Sequence, residues 1–453
     1  MQNQTGEAAY GLYFSLFSFS VLFTLVLDMG LSGFNNREVS ADPSRVRLYF
    51  GNVLLLRLLL TLAYFSVTAL VAWAIGYSAR QMSLLAVLMA NQVMASFTLW
   101  LRSNISGMQY LFLDSILSVS DRLIMIILCS LILWGGVISG PFRIEWFIFV
   151  QTAAYFSVMI VSFVIVIRRG GISDIKPDLK VLRGIIISGL PYAFVAFAMT
   201  LYWRSDTVLI ERLLPDGAVQ AGNYAQAFRL FDAFYMIPVM FGSLLLPIFS
   251  REYSAGRDIS PLASMASKML TIPVGIIAVI AATFPDEILD MLYVSPTMSS
   301  AEAFRILMIT MFPVGLTYIY STLLTAAGDM RRLGIIMGTG MVLNIAAKMV
   351  LIPEYSCAGA AIAALMTQTL VALSCVYAVH RKMFPVVRWK NVFLYLSMLA
   401  ALISAGFILR ALEMRWLPAA ALQLAVGVIW ALAFRMIEPV KSIKLIAERR
   451  DYI

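Results

Sequence analysis

Apolar residues run through this chain in blocks of about twenty, long enough for a helix to cross the roughly 30 Å hydrocarbon layer of a bilayer. Charged, Gly-rich or Pro-rich breaks separate the blocks, which fall near 9–34, 48–76, 81–101, 111–137, 143–167, 183–213, 219–249, 263–284, 301–326, 333–352, 357–379, 391–411 and 417–437. The pattern predicts an all-α, polytopic membrane protein with about 13 transmembrane helices. Several blocks exceed what a bilayer needs and are expected to tilt, kink or project into water. Pro191, Pro238, Pro273 and Pro313 fall inside blocks, where kinks are expected.

Composition agrees: 61% of the 453 residues are hydrophobic and 13% charged, the latter about half the usual share. The positive charge is distributed by parity. Alternate breaks hold 23 of the 34 Lys and Arg residues, among them Arg37, Arg168, Arg169, Arg331, Arg332, Arg381 and Lys382. The opposite breaks hold five: Arg80, Arg143, Arg212, Arg410 and Arg415. Basic loops stay preferentially cytoplasmic, which places the C-terminus inside and the first residues outside. The net charge of +9 is therefore mostly topological, and the basic stripe with interleaved aromatics of a nucleic-acid binder is absent. Topology alone also accounts for the basic linker 168–183, although such a segment suits anionic headgroups.

Cys129, Cys357 and Cys375 all lie in apolar blocks, an odd number with no paired spacing, and His380 is the only histidine, in a basic loop. Neither a disulfide framework nor a metal site follows, and no cofactor is expected. None of the breaks expected outside exceeds about 20 residues, which disfavours a membrane glycosyltransferase or polymerase, whose catalytic groups need a long external loop.

The candidate chemistry lies in charges placed where lipid is expected. Such a charge costs about 2.5–3.5 kcal/mol or more near a helix centre, so it faces a partner or a wet cavity. Six cations meet this description: Arg57, Arg122, Arg204, Arg229, Arg305 and Lys348. Arg305 is about one turn from the outer surface, within snorkelling reach. Arg122 follows Asp121 on a block that also carries Asp114, and those acids offset its charge. Arg204 and Arg229 flank the Pro215-Asp216-Gly217 turn at matching distances, roughly 18–20 Å from it along neighbouring helices. Asp206 cannot face Arg204 across two helical residues, so its expected partner is Arg229, for which Asp232 competes. Arg57 and Lys348, roughly 13 Å and 22 Å into their helices, have no acid within four residues and are the preferred anion ligands.

A weak repeat is also visible. Gly11-Leu12-Tyr13 opens a block ending at Asn36-Arg37-Glu38, and Gly222-Asn223-Tyr224 opens one ending at Ser250-Arg251-Glu252. With the linker 168–183 as divider, the chain reads as an N-terminal lobe of five spans (1–170), a C-terminal lobe of six (171–384) and two added helices with a tail (385–453).

Several stretches carry a family resemblance: Thr5-Gly6-Glu7 through Tyr13, Asp28-Met29-Gly30-Leu31, Arg102-Ser103-Asn104, Arg204-Ser205-Asp206, Leu246-Pro247-Ile248-Phe249-Ser250-Arg251 and Cys357-Ala358-Gly359-Ala360-Ala361. Together they resemble the Wzx-type polysaccharide and O-antigen flippases of the multidrug/oligosaccharidyl-lipid/polysaccharide (MOP, MATE-like) exporter superfamily. The resemblance implies a fourteen-helix, two-lobe fold, here starting after the usual first helix, so that one more apolar span is expected upstream. It also implies a non-enzymatic flippase of a bacterial inner membrane. The cargo would be an undecaprenyl-pyrophosphate-linked oligosaccharide for O-antigen, capsule or exopolysaccharide, carried by alternating access alongside other polysaccharide assembly proteins. Arg suits a pyrophosphate because its planar fork donates paired hydrogen bonds. The alternative within the superfamily is a cation-coupled drug exporter, for which Asp28 and Asp114 would be the relevant carboxylates.

If Asp206 and Arg229 pair, Asp206→Asn should lower the amount of folded protein in the membrane, since stranding one member of a buried pair costs roughly 3–5 kcal/mol. Exchanging the two charges should restore part of the loss, as read by membrane abundance.

Overall fold

The computed structural model describes residues 1–29, 31, 39, 45–135, 142–170, 179–383, 389–434 and 436, and among them there is no strand. After one turn, Gln2–Thr5, the helices are α1 (Glu7–Leu22), α2 (Leu25–Asp28), α3 (Arg45–Ala74), α4 (Ala79–Gly107), α5 (Leu111–Trp134), α6 (Ile144–Gly170) and α7 (Leu179–Leu213). There follow α8 (Gly217–Ser254), α9 (Ser260–Thr283), α10 (Pro285–Leu292), α11 (Met298–Ala326), α12 (Met330–Lys382), α13 (Trp389–Ala411) and α14 (Trp416–Ala433). Eleven described stretches are long and apolar enough to cross a membrane. They differ from the thirteen expected spans at two places. The span expected at 183–213 lies in the 35-residue helix α7, which is not among the eleven. Those expected at 333–352 and 357–379 both lie in α12.

α12 is two helices joined at Ser356, whose φ of 50° and ψ of −129° are not helical. A Cβ on Gly340 would stand 2.5 Å from Val371, Asn344 Nδ2 donates to Thr367 Oγ1 at 3.2 Å, and a Cβ on Gly359 would stand 2.1 Å from the Leu351 carbonyl oxygen. Each pair of residue numbers adds to about 711, the signature of an antiparallel hairpin. Lipid tails give helices no hydrophobic drive to associate, so this closeness, permitted by glycine, and the amide bond hold the two arms together.

The chain forms two compact units, Met1–Glu211 and Arg212–Ile453. In the first, a capping box of Ser78 and Gln81 starts α4. Near the start of α4, Arg80 pairs with Glu145 of α6 at 2.9 Å, while at its far end Arg102 pairs with Asp114 of α5 at 2.7 Å. Arg169, at the end of α6, sits over the Tyr110 ring. Arg102 and Arg169, both expected inside, thus share one end of the unit, with Arg80 at the other. The core joins Phe50 and Val53 of α3 to Trp100 and Leu101 of α4 and Val158 and Val166 of α6. Phe112, Ile116, Leu123 and Ile126 leave α5 with an exposed apolar face.

In the second unit, Gly328 takes a φ of 71° after α11, and Asp329 N–H reaches back to the Leu324 carbonyl, closing the helix and starting α12. α8 and α11 meet at Tyr235 and Tyr318, whose hydroxyls are 2.6 Å apart. Gln368 of α12 donates to Thr317 of α11 at 2.9 Å. α13 and α14 dock on α9 through Ile272, Ile276, Met398, Leu402 and Ala431. Gln423 adds bonds to Leu402 O and Thr283. Near the opposite end from Asp329, Arg410 reaches Glu287 of α10 at 3.2 Å. Pro238, Pro273 and Pro313 lie inside helices as expected, joined by Pro247 and by Pro353, three residues before the Ser356 break. His380 stands in the last helical turn of α12 rather than in a loop.

Because backbone, not a mobile side chain, faces Gly359, Gly359→Ala should destabilise the protein by roughly 1–3 kcal/mol. Gly340→Ala, which meets only the Val371 side chain, should do less harm, as thermal unfolding of the purified variants would show.

Candidate functional site

Arg57 of α3 is 1% exposed, seven residues into the span Phe50–Ala74, or roughly 10 Å. Its position follows from the antiparallel packing of α3 against the first two helices, in which Tyr64 OH donates to the Ser20 carbonyl at 2.8 Å. Two turns back along α3, this register brings Arg57 to the end of α2. There α2 stops at Met29, whose φ of 42° is left-handed, and leaves late carbonyls without helical partners. Arg57 Nη1 donates to one of them, Leu27 O, at 3.4 Å, and to Ser96 Oγ and O of α4 at 2.9 and 3.2 Å. Nη2 donates to the Asp28 carboxylate. The guanidinium also lies 5.6 Å from the centre of the Trp100 ring. Both Asp28 and the negative end of a short helix thus face the cation.

This corrects one expectation. Arg57 has no acid nearby in sequence but has one in space, twenty-nine residues away. The pair is lopsided, since the Asp28 side chain keeps 36% of its surface exposed. Lys348 is fully buried in the first arm of α12. The register that pairs 344 with 367 sets it opposite residue 363, where Ala363 and Ala364 leave room for its stem.

Arg204 is half-buried and Asp206 buried on α7, and both belong to the first unit; Arg229 and Asp232 are half-buried, three residues apart on α8 of the second. The expected Asp206–Arg229 pair would run from one unit to the other and stays a proposal. On α5 Asp121 is half-buried and Arg122 exposed. Asp114, expected to offset Arg122, is instead committed to Arg102.

Sequence reasoning passed over the buried amides. Gln151 accepts from Tyr13 OH at 3.4 Å, while Asn91, Asn104, Gln226 and Asn344 are buried at or near zero exposure. Their signal was present, as lone amides inside apolar blocks, but it lacked the charge that makes a residue conspicuous.

The asymmetry of the Arg57 pair has a measurable consequence. Asp28→Asn removes the carboxylate bonded to a buried cation and should cost about 3–5 kcal/mol, whereas Arg57→Gln leaves a carboxylate that is 36% exposed and should cost less. Membrane abundance and thermal unfolding of the two variants should rank them in that order.

Residues 1–252, more than half of the chain, match the family described as Polysaccharide biosynthesis protein, and residues 191–350 match the family MatE. Among solved structures, the chain is similar to an inward-facing multidrug resistance MATE family transporter of the MOP superfamily. The TM-score is 0.65 at 14% identity, covering 83% of this chain and 90% of that one. It is also similar to the lipid II flippase MurJ in an inward closed conformation, with a TM-score of 0.64 at 16% identity over 96% of this chain and 98% of that one. The eukaryotic MATE transporter AtDTX14 gives 0.59 at 16% identity, covering 85% and 88%. At such identities these likenesses speak for the fold. Comparison with curated proteins finds no match. With more than half its length matched, the chain belongs to the polysaccharide biosynthesis protein family, and it shares its fold with solved MATE and MurJ structures.

Proposed function

We propose that this protein is a flippase that carries an undecaprenyl-pyrophosphate-linked oligosaccharide across a bacterial inner membrane by alternating access. The cargo would feed a surface polysaccharide such as O-antigen, capsule or exopolysaccharide. The observation that carries the reading is the polysaccharide biosynthesis match over residues 1–252. Two further facts support it: a solved lipid II flippase shares the fold over 96% of the chain, and cations are kept inside spanning helices, where packing alone would not select them.

In this reading Lys348, Arg204 and Arg229 offer charge to the pyrophosphate along a polar route. Arg122, exposed near the middle of α5, joins them, because an arginine at that depth needs water or an anion. Arg57 contributes in a second manner: its guanidinium is held by Asp28, and an anionic headgroup would compete with that carboxylate for it. Asp206, Asp232 and Asp121 would balance or couple these charges. The lobes would be 1–170 and 171–384, with 385–453 appended. No step calls for covalent chemistry or a cofactor, so the protein acts as a transporter rather than an enzyme.

A second reading, cation-coupled drug export, draws on the MatE match over 191–350 and on the partly exposed Asp28 carboxylate. One experiment separates the two. In cells making the native polysaccharide, Lys348→Gln and Arg122→Gln should leave the protein at normal abundance. Surface polymer should fall about tenfold, the effect of about 1.4 kcal/mol, while lipid-linked oligosaccharide accumulates inside. Wild-type polymer in the combined Arg122→Gln, Arg204→Gln, Arg229→Gln, Lys348→Gln variant would reject the flippase assignment of these cations. Loss of drug resistance with intact polymer would favour the second reading.

A further inference from the structure

The two ends of the α12 hairpin meet around a cavity of about 470 Å³ that none of the transport chemistry above uses. Arg332, from the first turn, and Ser374, Tyr377, Arg381 and Lys382, from the last three turns, line it. Among the described residues, the carboxylate bonded to these groups is Asp329, which accepts from Lys382 Nζ at 2.7 Å and stands 3.7 Å from Arg332 Nε. The hydrogen bond from Lys382 holds the Asp329 carboxyl below its usual range, so it stays ionised. Arg381 Nη1 donates to the Tyr377 hydroxyl at 3.4 Å. Among the described residues, three cations against one anion leave the cavity with two positive charges in surplus.

An exposed apolar strip continues directly from it. Met366, Leu370, Leu373 and Tyr377 recur at spacings of four, three and four residues, which places them on one helix face, and each is at least half exposed. Ile335 and Val342 are exposed in the same way on the facing arm. A cationic pocket with hydroxyl donors at the end of a spanning hairpin, followed by an apolar track along that hairpin, has the layout of one phospholipid: phosphate first, acyl chains after. A free phosphate has no use for the track. The pocket also lies at the end carrying Arg331, Arg332, Arg381 and Lys382, which the charge bias places on the cytoplasmic side, where anionic lipid is found.

We propose that this cavity is a binding site for the phosphodiester headgroup of an anionic phospholipid of the inner leaflet, separate from the route taken by the transported cargo. Arg332 and Arg381 supply charge and planar donors to the phosphate, and the Ser374 and Tyr377 hydroxyls supply further donors. Lys382 stays bound to Asp329 and holds the two ends of the hairpin together.

The test uses the full-length protein in detergent, with lipid binding counted by native mass spectrometry. Phosphatidylglycerol should bind more tightly than phosphatidylcholine, and millimolar inorganic phosphate should not displace it. Arg332→Gln with Arg381→Gln should weaken phosphatidylglycerol binding about 30-fold, the effect expected for two surface charges near an anionic lipid. Arg331→Gln, one residue outside the lining, should leave it nearly unchanged. Ser374→Phe fills the cavity without altering charge and should also abolish the preference, which keeps the test decisive if the double variant folds poorly. Equal affinity for the two lipids, or an undiminished preference in Ser374→Phe, would overturn the proposal. Displacement by inorganic phosphate would overturn the lipid assignment in favour of a free-anion site.

Discussion

Hydrocarbon offers a guanidinium nothing to bind, and the first unit is arranged around that constraint. Arg57 has five N–H donors and 1% exposure, so its partners must come from the protein. They come from separate elements: the Asp28 carboxylate and the Leu27 carbonyl at the end of α2, and the Ser96 hydroxyl and carbonyl on α4. One side chain on α3 thereby fastens the helices on either side of it. The left-handed Met29 is part of the same solution, because ending the helix there exposes the carbonyl that the arginine caps. The second unit meets the same constraint without formal charge over much of its interior. Amide and hydroxyl pairs such as Asn344 with Thr367 and Gln368 with Thr317 join its helices.

How much of this was legible in the sequence depended on whether the physics was local. Apolar length and charge parity are local, and they placed the spans and the ends at which Arg80, Arg102 and Arg169 gather. The break between 352 and 357 was legible too, and it is where the non-helical Ser356 joins the two arms of α12. The partners of the buried charges were not local. Asp28 lies twenty-nine residues from Arg57 and meets it only through the register of α3 against the first helices, which periodicity does not encode. Asp114 was legible as an acid near Arg122, yet the turn between α4 and α5 delivers it to Arg102. Proximity along one helix was a poor guide because the competing cation sat on the next.

The repeat shows a division of labour. Tyr13 and Tyr224, the tyrosines of the two Gly-x-Tyr openings, are both buried, and each starts an aromatic ladder: Tyr13 stacks on Phe17, and Tyr224 stacks on Phe228. Each ladder is tied to another helix of its own unit, through Tyr13 to Gln151 and through Tyr235 to Tyr318. The repeated residues are therefore packing residues. The second half of the motif is half visible: Glu252 is buried and bonded to Arg257, while Asn36-Arg37-Glu38 lies outside the described residues.

Charge does not follow the repeat. The offset between the motifs, 211 at the tyrosines and 214 at the Arg-Glu pairs, carries Arg57 onto 268–271, where Lys268 stands half-buried on α9. The same offset carries Asp28 onto 239–242, which reads Val239-Met240-Phe241-Gly242 and holds no acid. It carries Lys348 back onto 134–137, where no cation stands. The two stretches that the repeat relates thus hold different charges, with an acid at the aligned position in the first and none in the second. A scaffold shared across exporters with unlike cargoes says little about what is carried. Under the flippase reading proposed above, selectivity for an anionic cargo would reside in charges that the repeat does not copy, such as Asp28 and Lys348.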